Sequence, residues 1–136
     1  MGLIRPENPT DPAAIRHVHT LAFGQPNEAD LVDALRRHQA LTLSLVAVQD
    51  YRLVGHIAFS PVSIASATTH DALGLGPMGV LPTHQRQGIG SQLVESGLQA
   101  CRDIGCGVVV VLGHPHYYPR GNYPGRLRVG DAIGFY

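Results

Sequence analysis

Hydrophobic spacing along the chain switches between a helical period and an alternating one, and each switch marks an element. Leu3 to Arg5 is a short apolar stretch suited to an edge strand. Thr10-Asp11-Pro12 then offers a capping hydroxyl or carboxylate followed by a first-turn proline. Ile15, Val18, His19 and Ala22 follow at helical spacing. A second helix is predicted from Asn27 to about His38, with Leu31, Ala34 and Leu35 on its buried face and Arg36 and Arg37 at its C-terminal end. Beyond it the period shortens. Leu41 to Gln49 alternates and is rich in Leu and Val, Asp50-Tyr51 makes a tight turn, and Arg52 to Ala65 continues as a longer strand bent at Pro61. Ser66 to His70 is a polar turn and Asp71 to Leu81 a third strand of this region. Gly88 to about Ile104 is helical again, with Ile89, Leu93, Val94, Gly97, Leu98 and Cys101 along one side and Gly105 and Gly107 closing it. Val108 to Leu112 is the continuous apolar run of a strand covered on both faces. The order is β, α, α, β, β, β, α, β. Its central strand–helix–strand unit, Asp71 to Leu112, requires two parallel strands.

Composition narrows the function classes. A single domain spanning 1–136 is the sensible size, and 44% hydrophobic residues can supply its core. Formal net charge is zero, so no global field draws nucleic acid or anionic lipid. All ten cationic residues are arginines. The two cysteines, Cys101 and Cys106, fit neither a zinc pair nor a redox C-x-x-C, which leaves a reduced thiol pair. The first residues lack the basic-then-apolar pattern of a secretory signal, and no apolar run approaches a membrane span. A cytoplasmic location with no membrane partner is therefore expected.

Two glycine patterns compete for a phosphate-bearing ligand. Gly74, Gly76 and Gly79 spell G-x-G-x-x-G. A dinucleotide fingerprint must close a strand and open a helix at once. Here Val80, Leu81 and Pro82 follow instead, so a glycine-rich strand with a bulge is the better account. The second pattern, Gln85-Arg86-Gln87-Gly88-Ile89-Gly90, sits where a strand gives way to a helix. First-turn amides lack intrahelical acceptors, and their partial positive charge favours an anion. Glycines at 88 and 90 let a bulky anion reach the backbone, and Arg86 adds a full charge. No lysine follows, which excludes a P-loop. A pyrophosphate suits this turn; a glycine-containing helix entry with no ligand is the plain alternative.

The segment GLGPMGVLPTHQRQGIGSQLVESGL resembles the acetyl-CoA-binding core of the GNAT N-acetyltransferases, whose signature is Gln/Arg-x-x-Gly-x-Gly/Ala after a strand; Gln85, Gly88 and Gly90 match it. VGHIAFSP and GHPHYYPR resemble a subgroup of small bacterial predicted acetyltransferases. The resemblance covers roughly Glu7 to Arg120. It implies an α/β (α+β) fold: a mixed, mostly antiparallel sheet with a central βαβ unit and two parallel strands that splay apart. It also implies an N-acetyltransferase that takes acetyl-CoA as cosubstrate and moves the acetyl group to a primary amine on a small molecule or peptide by direct attack. Carried onto this chain, it assigns the pyrophosphate to Arg86, Gln87, Gly88, Ile89, Gly90 and Ser91, and the pantetheine arm to the main chain of Met78, Gly79 and Val80. It gives Tyr118 the role of the acid that protonates the leaving thiolate. The general base stays open among Glu28, His56 and ordered water. His114 and His116 have no evident third ligand, so no metal is expected.

The resemblance stops near Arg120. Gly121 to Tyr136 is an atypical tail in which only Arg126 to Val129 and Ala132 to Tyr136 are weak strand candidates; a shifted reading frame near Arg120 is one explanation. A short tail would leave the Val108 to Leu112 strand with a bare edge, which implies homodimerisation through it or lowered stability. It also leaves a second function open, a CoA-binding module with little or no catalysis.

Overall fold

Strand order in space follows strand order in sequence. The computed structural model describes residues 2–62, 72–111 and 132–134, the last by backbone alone. Six strands lie side by side in chain order: β1 (Gly2–Pro6), β2 (Leu43–Gln49), β3 (Arg52–Pro61), β4 (Ala72–Val80), β5 (Val108–Val111) and β6 (Ala132–Gly134). Every neighbouring pair is antiparallel except β4 and β5, the parallel pair that the crossover predicted. Helices α1 (Pro12–Phe23), α2 (Asn27–Arg37) and α3 (Ile89–Asp103) complete the described fold. Asp50 and Tyr51 both take positive φ, as a two-residue hairpin turn demands.

Alternation along β3 decides what lies on each face of the sheet. Ile57 and Phe59 point toward α3, where they join Leu45, Leu75, Leu93, Val94 and Leu98 in a dry apolar core. Gly97 admits that packing: a Cβ there would stand 2.5 Å from two ring carbons of Phe59. The intervening residues His56 and Ala58 point the other way, toward α1 and α2. A much smaller apolar cluster forms there, from Ile15, Val32, Val46 and Ala58.

Three expectations change. Asp11 stands at the N-cap of α1, yet its side chain caps no helix amide. It receives Arg5 at 2.7 and 3.2 Å and the Asn8 amide at 2.8 Å, tying β1 to the helix. That Arg5 hydrogen bond, above all, holds the carboxyl below its usual range. In α2 the buried positions are Ala29 and Val32, whereas Leu31 is 48% exposed. The helix is rotated because Asp33 and Arg36, half-buried, are turned toward ion-pair partners on other elements. Finally, β6 runs antiparallel along β5 from Val108↔Gly134 to Val110↔Ala132, covering the edge that a short tail was expected to leave bare.

Candidate active site

The glycine pattern 74, 76, 79 lies wholly inside β4, which ends nine residues before the first residue of α3. Its local irregularity is a bulge. Leu75 pairs with Phe59 and Met78 with Ile57, so Gly76 and Pro77 together face the single residue Ala58. Gly76 takes φ 142°, open only to glycine, and the Gly76–Pro77 bond is cis. Beyond the bulge the two edges of β4 differ. On one side Met78, Gly79 and Val80 pair with Ile57, His56 and Gly55. On the other, pairing with β5 ends at Leu75↔Val111, and these three residues have no strand partner among the described residues.

The turn that follows is built to present amides. Pro82–His84 forms a short 3-10 turn. The Gln85 side chain donates to the Val80 carbonyl at 3.0 Å, pinning the loop to the end of β4. Arg86 at φ 64° and Gly88 at φ 84° both lie in the left-handed region and reverse the chain into α3. Gly88 occupies the N-cap, and no side chain caps the helix. The amides of Gly88, Ile89 and Gly90 thus lack an intrahelical acceptor, and a Cβ at Gly88 would have nothing within 4 Å. Open space, amides of positive partial charge and the exposed Arg86 fit a diphosphate. Gln87 is exposed and Ser91 half-buried beside them. Every predicted loop residue is brought to one turn, next to the edge of Met78–Val80 that has no strand partner among the described residues. Tyr118, His114 and His116 lie outside the described residues.

Of the general-base candidates, Glu28 sits in the first turn of α2 and receives Gln25 at 3.2 Å on each carboxylate oxygen. His56 is fully buried and belongs to a polar chain that crosses the α1/α2 face. His19 Nε2 meets His56 Nδ1 at 2.7 Å, and His56 Nε2 meets Ser44 Oγ at 2.8 Å. Ser44 Oγ donates to Glu7 Oε1 at 2.6 Å. Arg36 closes the chain with two hydrogen bonds to the Glu7 carboxylate, 2.8 Å from Nη2 and 3.2 Å from Nε. His19 is fully buried on α1 and stacks on Phe23. Its Nδ1 has no hydrogen-bond partner among the described residues, and a Cβ added to Gly79 would lie 3.0 Å from that nitrogen. Burial pushes the His19 pKa down to about 4 against the opposing pull of Asp33. Burial likewise drives His56 well below the usual histidine range, helped by the charges of His19 and Arg36. Both rings are neutral near pH 7. The sequence puts His19 at helical spacing with Ile15, Val18 and Ala22 and His56 on a strand, but the chain that joins them to Ser44 and Glu7 was not foreseen. The available signal was alternation, which puts Ser44, Val46, His56 and Ala58 on one face.

Neither cysteine forms a disulfide and both are buried. Desolvation, with Cys106 beside it, pushes the Cys101 thiol up to about 12, which removes it as a nucleophile. No described helix is long and apolar enough to cross a membrane.

The sequence matches the acetyltransferase (GNAT) family over residues 13–118. The uncharacterized N-acetyltransferase YjhQ of Escherichia coli K12 is 39% identical over 114 residues, which span 82% of this chain and 63% of that protein. A GNAT family acetyltransferase from Brucella melitensis, crystallised with acetyl-CoA, superposes with a TM-score of 0.79 at 38% identity over 99% of this chain and 96% of its own. The E. coli acetyltransferase YhbS, crystallised with CoA, gives a TM-score of 0.79 at 37% identity over 85% of this chain and 64% of its own. With the uncapped α3 turn and the half-paired end of β4 already in place, these matches make the chain a member of the GNAT acetyltransferase family.

Proposed function

We propose that this protein is an N-acetyltransferase that binds acetyl-CoA and transfers its acetyl group to a primary amine on a small molecule or peptide. The observation that carries this reading is the juxtaposition of two backbone features. The uncapped first turn of α3 suits the pyrophosphate, held by the amides of 86–91. The edge of Met78, Gly79 and Val80 that lacks a strand partner among the described residues suits the amide-rich pantetheine arm. A ligand spanning both would bring its thioester to the bulged strand, where a main-chain N–H can polarise the carbonyl as negative charge develops on oxygen. Support also comes from the Brucella relative, which was crystallised with acetyl-CoA.

The chemistry then needs little beyond positioning. A neutral amine attacks the thioester carbonyl, and rate comes mainly from holding the two together. The departing thiolate takes a proton, a role this reading gives to Tyr118. The reduced thiols suit a cytoplasmic site of action. Calorimetry with acetyl-CoA, followed by thiol release across a panel of amines, tests the proposal. Binding with acetyl-dependent thiol release is expected, and Tyr118→Phe should lower kcat at least about tenfold with little change in acetyl-CoA affinity. Binding without release for every amine would favour a CoA-binding module; absence of binding would end both readings.

A further inference from the structure

We infer that His19, His56, Ser44 and Glu7 form a proton relay that removes the proton from the acceptor amine, with Nδ1 of His19 as the atom that receives it. The inference rests on the acetyltransferase reading above and names its missing base. It starts from an anomaly. Buried polar atoms in folded proteins nearly always have partners. Among the described residues His19 Nδ1 is buried without one, beside Gly79, on the strand segment to which the pantetheine arm is assigned.

Hydrogen-bond polarity fixes what that nitrogen is. Glu7 takes two hydrogen bonds from the Arg36 guanidinium, so it is a carboxylate and can only accept. Ser44 therefore spends its single proton on Glu7 and must accept from His56 Nε2. A neutral His56 with its proton on Nε2 has a bare Nδ1, which can only accept from His19 Nε2. A neutral His19 with its proton on Nε2 then carries a lone pair on Nδ1. The ion pair at Glu7 thus sets the tautomer of a ring two side chains away and leaves a proton acceptor beside Gly79.

The relay works without placing a cation in the core. The amine nitrogen bonds to the carbonyl carbon and the carbon–sulfur bond breaks. The proton shed by nitrogen goes to His19 Nδ1, directly or through one water. In concert His19 Nε2 hands its proton to His56 Nδ1, His56 Nε2 to Ser44 Oγ, and Ser44 to Glu7 Oε1. Both rings change tautomer and remain neutral, as their burial favours. Glu7, 16% exposed, returns the proton to solvent, while the thiolate is protonated separately. His19 is the catalytic residue, and His56, Ser44 and Glu7 act through it. Nδ1 is buried with no partner among the described residues, so substrate must bring the partner it lacks.

The experiment compares wild type, Ser44→Ala and Ser44→Thr. It measures kcat with the amine that the panel identifies, acetyl-CoA affinity by calorimetry, and histidine tautomers by 15N NMR. Removing the hydroxyl should lower kcat about 100-fold, the scale of lost general-base catalysis, and leave acetyl-CoA affinity within twofold. Ser44→Thr, which keeps the hydroxyl, should recover kcat to within a few-fold of wild type. In wild type His19 should show a protonated Nε2 and a bare Nδ1, a readout that stands even if Ser44→Ala misfolds. An active wild type with kcat indifferent to Ser44→Ala, equal losses in both variants, or a protonated Nδ1 would overturn the relay while sparing the acetyltransferase reading. A wild type that binds acetyl-CoA but acetylates no amine would overturn both.

Discussion

The two faces of the sheet use the same strands for opposite purposes. Toward α3, Ile57 and Phe59 of β3 enter a dry core, and the only specificity needed is shape, as at Gly97 beneath the Phe59 ring. Toward α1 and α2, His56 from that same strand enters a chain of side-chain hydrogen bonds with few apolar neighbours. A dry core forgives volume-conserving exchange. A buried polar chain does not, because removing one member orphans its neighbours. The first face holds the helix whose start presents amides; the second supplies titratable groups. Under the proposed function, binding and proton handling are thus separated by one residue of alternation.

Acid should distinguish the faces most strongly. Unfolded histidine takes up a proton near pH 6.5, whereas His19 in the fold does so at about 4, and burial holds His56 well below the usual histidine range as well. Between those values the unfolded chain binds more protons, so stability is full above pH 6.5 and falls as pH drops toward 4. Each histidine contributes a slope of about 1.4 kcal/mol per pH unit well inside that window. Urea denaturation at pH 7, 6 and 5 should show stability falling with pH, more steeply between 6 and 5 than between 7 and 6 as the slope rises toward the sum of the two; a flat profile would mean the rings charge easily in place. Next in size, His56→Leu should cost about 3 kcal/mol, since it orphans both His19 Nε2 and the acceptor site of Ser44. Leu93→Met on the dry face, a swap at an equally buried site, should cost less than about 1.5 kcal/mol. Similar losses in the two variants would erase the distinction between the faces.

That separation also explains what was legible in the sequence. Elements with long periodic patterns were read to within a few residues, α3 and the β2–β3 hairpin among them, because their signal is local. The Gln85-to-Gly90 turn was legible for the same reason: strand end, glycines and helix start are adjacent in the chain. The polar chain was not. His19 and His56 are 37 residues apart, as are Ser44 and Glu7, and no local pattern announces a pairing at that range. Leu31 misled in the same way, since an apolar residue at the right helical spacing was turned outward once Asp33 and Arg36 claimed distant partners. Asp11 had the residue type and place of a cap, yet Arg5 on the neighbouring strand took its carboxylate.

The measurement that bears most directly on the account is calorimetric titration of acetyl-CoA into wild type and Gly88→Val. At φ 84°, valine is strained and puts carbon where the proposed pyrophosphate would approach. Saturable binding to wild type with affinity weakened about tenfold or more in the variant, a loss of at least about 1.4 kcal/mol, is the predicted result. Equal affinity in the two proteins, or no binding to wild type, would contradict it.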